Sequence, residues 1–230
     1  MDPLAQMKME EKRRLVEADK RHEKAKDKLG KVVDEKVPDA AKGGQMLELV
    51  LSPNPLLKRN CEPVPGEGFD RDLKNFVTNM AYTMYLCGGV GLAAPQVGEL
   101  RRVFVADWSK EGTNLVTVIN PEIVEVSPKK VRMKEGCLSF PSVRVVAERS
   151  AAVCVTFWTE RREKVEKVWL EGWAARVFLH EYDHLNGVVF LDRVSGLERR
   201  QALKKAVKFQ RSVNKDMAGK KRQYQRRGWR

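Results

Sequence analysis

Two of the three histidines in this 230-residue chain stand four positions apart, in His180-Glu181-Tyr182-Asp183-His184. A helix turns once every 3.6 residues, so positions i and i+4 share a face. Val177, Phe178, Leu185 and Val188 flank the motif, which places it at least partly in the interior. Buried imidazoles beside a carboxylate are costly unless something satisfies them. Two neutral imidazoles at this spacing are ready ligands for a transition metal. Glu181, inside the same turn, can reach a metal-bound water as general base. The fold is therefore expected to close around this helix. The third histidine, His22, sits in a charged N-terminal stretch and reads as a solvated side chain.

A catalytic zinc-like site takes three protein ligands and keeps a fourth position open. The extended metalloprotease pattern H-E-x-x-H-x-x-G-x-x-H is one way to supply the third. Gly187 falls in register with it, but the last position is Phe190. A downstream glutamate is another, and Glu198 is available close by, at the edge of a basic helix. A cysteine is the third option. Cys137 lies in Lys134-Glu-Gly-Cys-Leu-Ser-Phe-Pro141, where Gly136 and Pro141 bracket it at a turn or strand end. Cys61, Cys87 and Cys154 read as small buried residues, Cys154 within a hydrophobic strand. None of the four cysteines forms a C-x-x-C pair, and together they do not make a disulfide framework, which points to a reducing compartment.

Charge divides the chain. Residues 1–44 hold 12 Lys+Arg and 10 Asp+Glu, residues 45–198 hold 19 and 20, and residues 199–230 hold 13 and 1. Nearly all of the net charge of +13 therefore lies in the last segment. That argues for an anionic partner of the tail, not an anionic substrate of the core. No stretch approaches the roughly 20 apolar residues of a membrane span, and no secretory signal core or transit-peptide composition is evident at the N-terminus.

The pattern predicts a charged N-terminal extension over 1–44, helical or disordered, a catalytic domain over 45–198, and a basic helix and tail over 199–230. Within the domain, Leu47–Leu51 reads as a strand and Asp70 to Tyr85 as a helix with Asp70 as N-cap. Gly89 to Gly98 reads as a small-residue loop. Further strands are expected at 103–106, 115–119, 143–146, 152–158 and 165–170, then helices from Trp173 to Asn186 and from Leu197 to about Val213. The fold class is α+β, a mostly antiparallel sheet around a central metal-binding helix, with a C-terminal helix.

Three segments, Gly89-Val-Gly-Leu-Ala-Ala-Pro-Gln96, Glu135-Gly-Cys-Leu-Ser139 and His180-Glu-Tyr-Asp-His184, together resemble the three motifs of peptide deformylases, in the same order. The resemblance spans roughly residues 45–198. It implies metal-dependent removal of the formyl group from the N-terminal formyl-methionine of nascent polypeptides. By position, Cys137, His180 and His184 would hold one divalent ion, Fe(II) in the first place, with Zn, Ni or Co able to replace it. Glu181 would move the proton, and the Gln96 amide with the Leu138 backbone N–H would receive the oxyanion. Gly89, Val90 and Gly91 would lie along the extended peptide substrate, the glycines allowing close backbone approach. Arg149 and Asp183 form a candidate pair steadying the metal helix; a surface ion pair is the competing reading. Partners would be formyl-methionyl chains and, through 199–230, ribosomal RNA, where phosphate attraction is sequence-independent and salt-sensitive. No membrane contact and no particular oligomeric state is implied. Translation on formyl-methionine points to a bacterial or phage-infected cytoplasm, or to a plastid or mitochondrion after processing. The rival readings are an ordinary metallopeptidase and an inactive RNA- or ribosome-binding relative.

Overall fold

The computed structural model describes residues 37–66, 69–109 and 114–226, the stretch 213–226 by its backbone alone. Of the extension expected over residues 1–44, residues 1–36, with His22, lie outside the described residues. Val37 and Ala41, inside the segment 1–44, are buried in the core beside a 3-10 turn at Asp39–Ala41.

The α+β class holds. Helix α1 spans Arg71–Leu86. The Asp70 carboxylate accepts from the Leu73 N–H at 2.8 Å, satisfying a first-turn donor that has no intrahelical acceptor. Strands β1 (Gly91–Ala93), β2 (Val103–Asp107), β3 (Leu115–Val126), β6 (Ala152–Trp158) and β7 (Lys164–Glu171) form one sheet in the order β1-β2-β3-β6-β7. Strands β4 (Lys130–Gly136) and β5 (Arg144–Ser150) make a separate two-stranded ribbon. Every pairing between these strands is antiparallel. Helix α2 spans Gly172–Leu185 and helix α3 spans Gly196–Arg226.

Strand β2 shows how the layers assemble. It is buried along its whole length. Successive side chains point to opposite faces, so Val103 and Val105 join α1 through Leu73, Val77, Met80 and Met84. Phe104 and Ala106 join α2 through Ala175, Phe178 and Leu185. Phe104 and Phe178 meet edge to face at 5.3 Å. Burying a phenylalanine of this kind contributes about 1.5–3 kcal/mol. The sheet is thus sandwiched between α1 and α2, and α2 is central, as expected. A third cluster joins Val143 and Val145 to Phe190, Leu191, Ala202 and Ala206, seating the root of α3.

Three local expectations need correction. Leu47–Leu51 is not a strand. Its neighbourhood is tied to three different elements instead of one ladder: Leu47 N–H donates to Thr83 Oγ1, Val50 N–H to the Gln96 carbonyl, and Ser52 N–H to the Ser139 carbonyl. Gly89 to Gly98 is not a plain loop, since it contains β1 and a 3-10 turn at Ala94–Val97. Strand β4 was not foreseen, because its alternation of Lys130, Arg132 and Lys134 with Val131 and Met133 carries little apolar signal.

Candidate metal centre

Cys137 follows directly on the end of β4, and His180 and His184 stand one turn apart on α2. Their ligand atoms all lie within 4.8 Å of one another. The two histidines are buried and Cys137 is half-buried. Glu198, the alternative ligand, is not in this group; it belongs to the first turn of α3, where its N–H donates to Ser195 Oγ. The imidazoles cross at 73° with centroids 5.3 Å apart. His184 Nε2 lies 3.3 Å from Cys137 Sγ. His180 Nδ1 pairs with Glu135 Oε2 at 2.9 Å, which leaves Nε2 for the group.

A soft thiolate beside two imidazoles is a donor set for a transition metal, and three ligands leave a position for reactants. Two further observations fit such an ion. Glu181 Oε2 is buried without a hydrogen-bond partner in the protein. The pocket also favours positive charge. Burial alone pulls the His180 pKa down, yet contacts with Cys137 and Glu135 and the Glu181 charge more than offset it and hold it at about 10. A cation held by Cys137, His180 and His184 would supply positive charge in place of that proton. Burial and the His180 charge drive His184 the other way, well below the usual histidine range. Burial pushes Glu181 up to about 7, against the pull of His180 and Arg149. A carboxyl poised near neutral pH can both take and return a proton.

Beneath the histidines lies a buried ionic cluster. Glu135 accepts from Arg149 Nε at 2.7 Å and Nη2 at 3.0 Å, from Arg176 Nη1 at 2.7 Å, and from His180. Burial opposes the Glu135 charge, but these donors prevail and hold its carboxyl far below the usual range. Arg149 Nη1 also donates to Asp183 Oδ2 at 2.6 Å, and both side chains are almost wholly buried. Arg149 and Asp183 therefore pair in the interior, not at the surface. The sequence reading gave no role to Glu135, Arg176 or Ser139. Glu135 had a signal, since it shares the inward face of β4 with Val131 and Met133. So did Arg176, which stands four residues before His180 on α2.

Gln96 is buried. Its Oε1 accepts from Ala93 N–H at 2.8 Å, and Nε2 lies 3.3 Å from Cys137 Sγ and 3.2 Å from Ser139 Oγ. Gly91 and Ala93 share the face of β1 turned to α2. A Cβ on Gly91 would stand 2.7 Å from Glu181 Cδ. Gly91 is therefore required by the Glu181 side chain, not only by the backbone approach that the sequence suggested. Similarly, a Cβ on Gly89 would meet Leu138 Cδ1 at 2.8 Å. Val90 is exposed, and its carbonyl accepts from Asp107 N–H at 2.9 Å. Gly91→Ala should displace Glu181 and lower turnover by about 10²-fold or more, the cost of misplacing a reacting group by around 1 Å. Retained metal with reduced kcat is the expected pattern; full activity would show that the carboxylate can shift freely.

The family model described as polypeptide deformylase matches residues 46–200. A peptide deformylase of Thermotoga maritima is 47% identical over 162 residues, covering 70% of this chain and 95% of the relative. One from Aquifex aeolicus is 45% identical over 168 residues, covering 72% and 97%. The crystal structure of the Ehrlichia chaffeensis peptide deformylase, in complex with actinonin, superposes with a TM-score of 0.68 at 34% identity, covering 73% of this chain and 99% of the other. With its three motifs gathered at one buried Cys/His/His group, the chain belongs to the peptide deformylase family.

Proposed function

We propose that release of formate from N-terminal formyl-methionine, the reaction of this metal-dependent hydrolase family, runs at the Cys137–His180–His184 pocket. The observation that carries this is the convergence of three ligand atoms within 4.8 Å, beside the partnerless buried oxygen of Glu181. Cys137, His180 and His184 would hold a divalent ion, which would supply Lewis acidity toward the formyl carbonyl and the attacking water. Fe(II) is the proposed native ion, with Zn, Ni or Co as replacements, since the mixed sulfur and nitrogen donors suit all four.

The protein's own groups do the rest. Glu181 takes the proton of the attacking water and delivers one to the leaving amine. The Gln96 amide and the Leu138 backbone N–H face the developing oxyanion; losing one such donor typically costs about 10²–10³ in rate. Gly89, Val90 and Gly91 line the path of the extended substrate. Glu135, held by Arg149 and Arg176, fixes the His180 ring, and Arg149 ties Asp183 of the same helix into that support. Neither metallopeptidase nor inactive relative is favoured, because the matched family is deformylase along the whole domain. Formate release from formyl-Met-Ala-Ser, beside acetate release from acetyl-Met-Ala-Ser, tests the reaction. Turnover of the formyl peptide alone is expected; equal turnover of both would overturn the assignment.

We further propose a division into a charged extension (1–44), a catalytic domain (45–198) and a basic helix and tail (199–230) that docks on ribosomal RNA. The family match ends at residue 200, while α3 continues to Arg226. Ala202 and Ala206 anchor the root of that helix in the core. Among the described residues no helix is long and apolar enough to cross a membrane. Deleting 215–230 is expected to leave turnover of the short peptide intact and to weaken ribosome binding in co-sedimentation at low salt. Unchanged binding would remove the docking role.

A further inference from the structure

The segment that joins the metal helix to the basic helix grips the metal helix twice. Phe190, in the 3-10 turn Phe190–Arg193, packs its ring 5.7 Å from that of His180. Arg193, at the end of the same turn, forks onto Asp183: Nε donates to Oδ2 at 3.0 Å and Nη2 to Oδ1 at 2.5 Å. Asp183 lies between the two histidines in sequence, three residues after His180 and one before His184. Its carboxylate is 7 % exposed and takes three N–H bonds, two from Arg193 and one from Arg149. The two arginines share Oδ2.

That sharing sets the position of Arg149. Its guanidinium divides between Asp183, through Nη1, and Glu135, through Nε and Nη2. Glu135 Oε2 in turn receives both Arg149 Nη2 and His180 Nδ1. If Arg193 is removed, Asp183 keeps only Arg149 as a charged partner. A buried carboxylate stripped of donors draws the remaining one closer. Arg149 then turns toward Asp183 and away from Glu135, and the oxygen that orients His180 loses its fixed place.

We propose that Arg193 is a positioning residue for the metal centre, acting through Asp183, Arg149 and Glu135 on the ring orientation of His180. The inference rests on the proposed metal site. Groups that orient metal-bound histidines typically change affinity or activity 10–100-fold when lost. Arg193 acts three links further back, through Asp183 and Arg149 on the orienting Glu135, so Arg193→Ala should fall no higher than the lower end, about tenfold.

The test uses full-length protein loaded with Co(II), whose visible d–d bands report ligand geometry, together with the Co(II) dissociation constant and the separate kcat and KM for formyl-Met-Ala-Ser. Arg193→Ala should shift the bands, weaken Co(II) binding about tenfold and lower kcat with KM unchanged. Arg193→Lys, which keeps charge but not the fork, should fall between the two. Arg199→Ala is the control. It breaks the neighbouring pair with Asp192, 2.9 Å apart, at the same junction without touching Asp183, and Arg199 is 45 % exposed, much as Arg193 is at 46 %. It should match the wild type. Wild-type bands and affinity in Arg193→Ala would overturn the proposal, as would an equal loss in Arg199→Ala, which would assign the effect to seating of α3. A wild-type protein that shows no thiolate-to-cobalt absorption would instead defeat the metal site itself.

Discussion

Glu181→Ala is expected to lower formate release by about 10²–10⁴-fold, the usual contribution of a positioned proton carrier. The expectation rests on placement. Glu181 Oε2 is buried and has no hydrogen-bond partner in the protein, and Gly91 leaves room for the side chain to approach β1. Burial raises the pKa of its carboxyl to about 7, against the pull of the His180 and Arg149 charges. The substitution leaves Cys137, His180 and His184 in place, so metal stoichiometry should stay near that of the wild type. Steady-state kcat measured alongside metal content decides the matter. If activity falls only in proportion to lost metal, or by less than about tenfold, some other group carries the proton.

Glu135→Ala is expected to be the most damaging change outside the ligands. It leaves buried Arg176 with backbone carbonyls as its acceptors, leaves Arg149 with Asp183 as its remaining carboxylate, and leaves His180 Nδ1 without its partner. Breaking a buried charge pair by removing one member typically costs about 3–5 kcal/mol, because the other charge stays buried without compensation. Metal affinity should fall about 10–100-fold at the same time. Denaturant unfolding of the metal-free protein isolates the first effect, and metal titration the second. Glu135→Gln keeps the shape but supplies only one acceptor oxygen, so it should fall between. Stability of Glu135→Ala within about 1 kcal/mol of wild type would mean that the arginines find other acceptors, and the cluster would lose its structural role. The Ala147 and Val131 carbonyls, which already accept from Arg176, are the nearest candidates.

The helix that carries His180 and His184 was legible because its spacing depends on local sequence, whereas Cys137 was reached only through the resemblance of its motif. Four-residue spacing places His180 and His184 on one face in any α-helix, and the Asp70 cap marks the start of α1 within one turn. The two-faced burial of β2 was also readable as a continuous apolar run. Leu47–Leu51 carried the same apolar signal and formed no strand, because its Leu47 and Val50 N–H groups go to α1 and to the 3-10 turn at Ala94–Val97 instead of to one ladder. Strand propensity describes a residue's fit to a pleated surface, and whether such a surface is offered is a tertiary matter.

Sequence alone therefore determined the family, the pairing of His180 and His184 on one helix face and the concentration of positive charge in the last 32 residues. Tertiary structure decided what those residues are worth. It brought Glu135 from β4, Arg149 from β5 and Arg176 and Asp183 from α2 into one buried cluster. No spacing rule links residues on three separate elements, and a charge reads as a surface feature until its burial is known. The same holds for Gly91: its need for a missing side chain exists only because the sheet packs β1 against the carboxylate of α2.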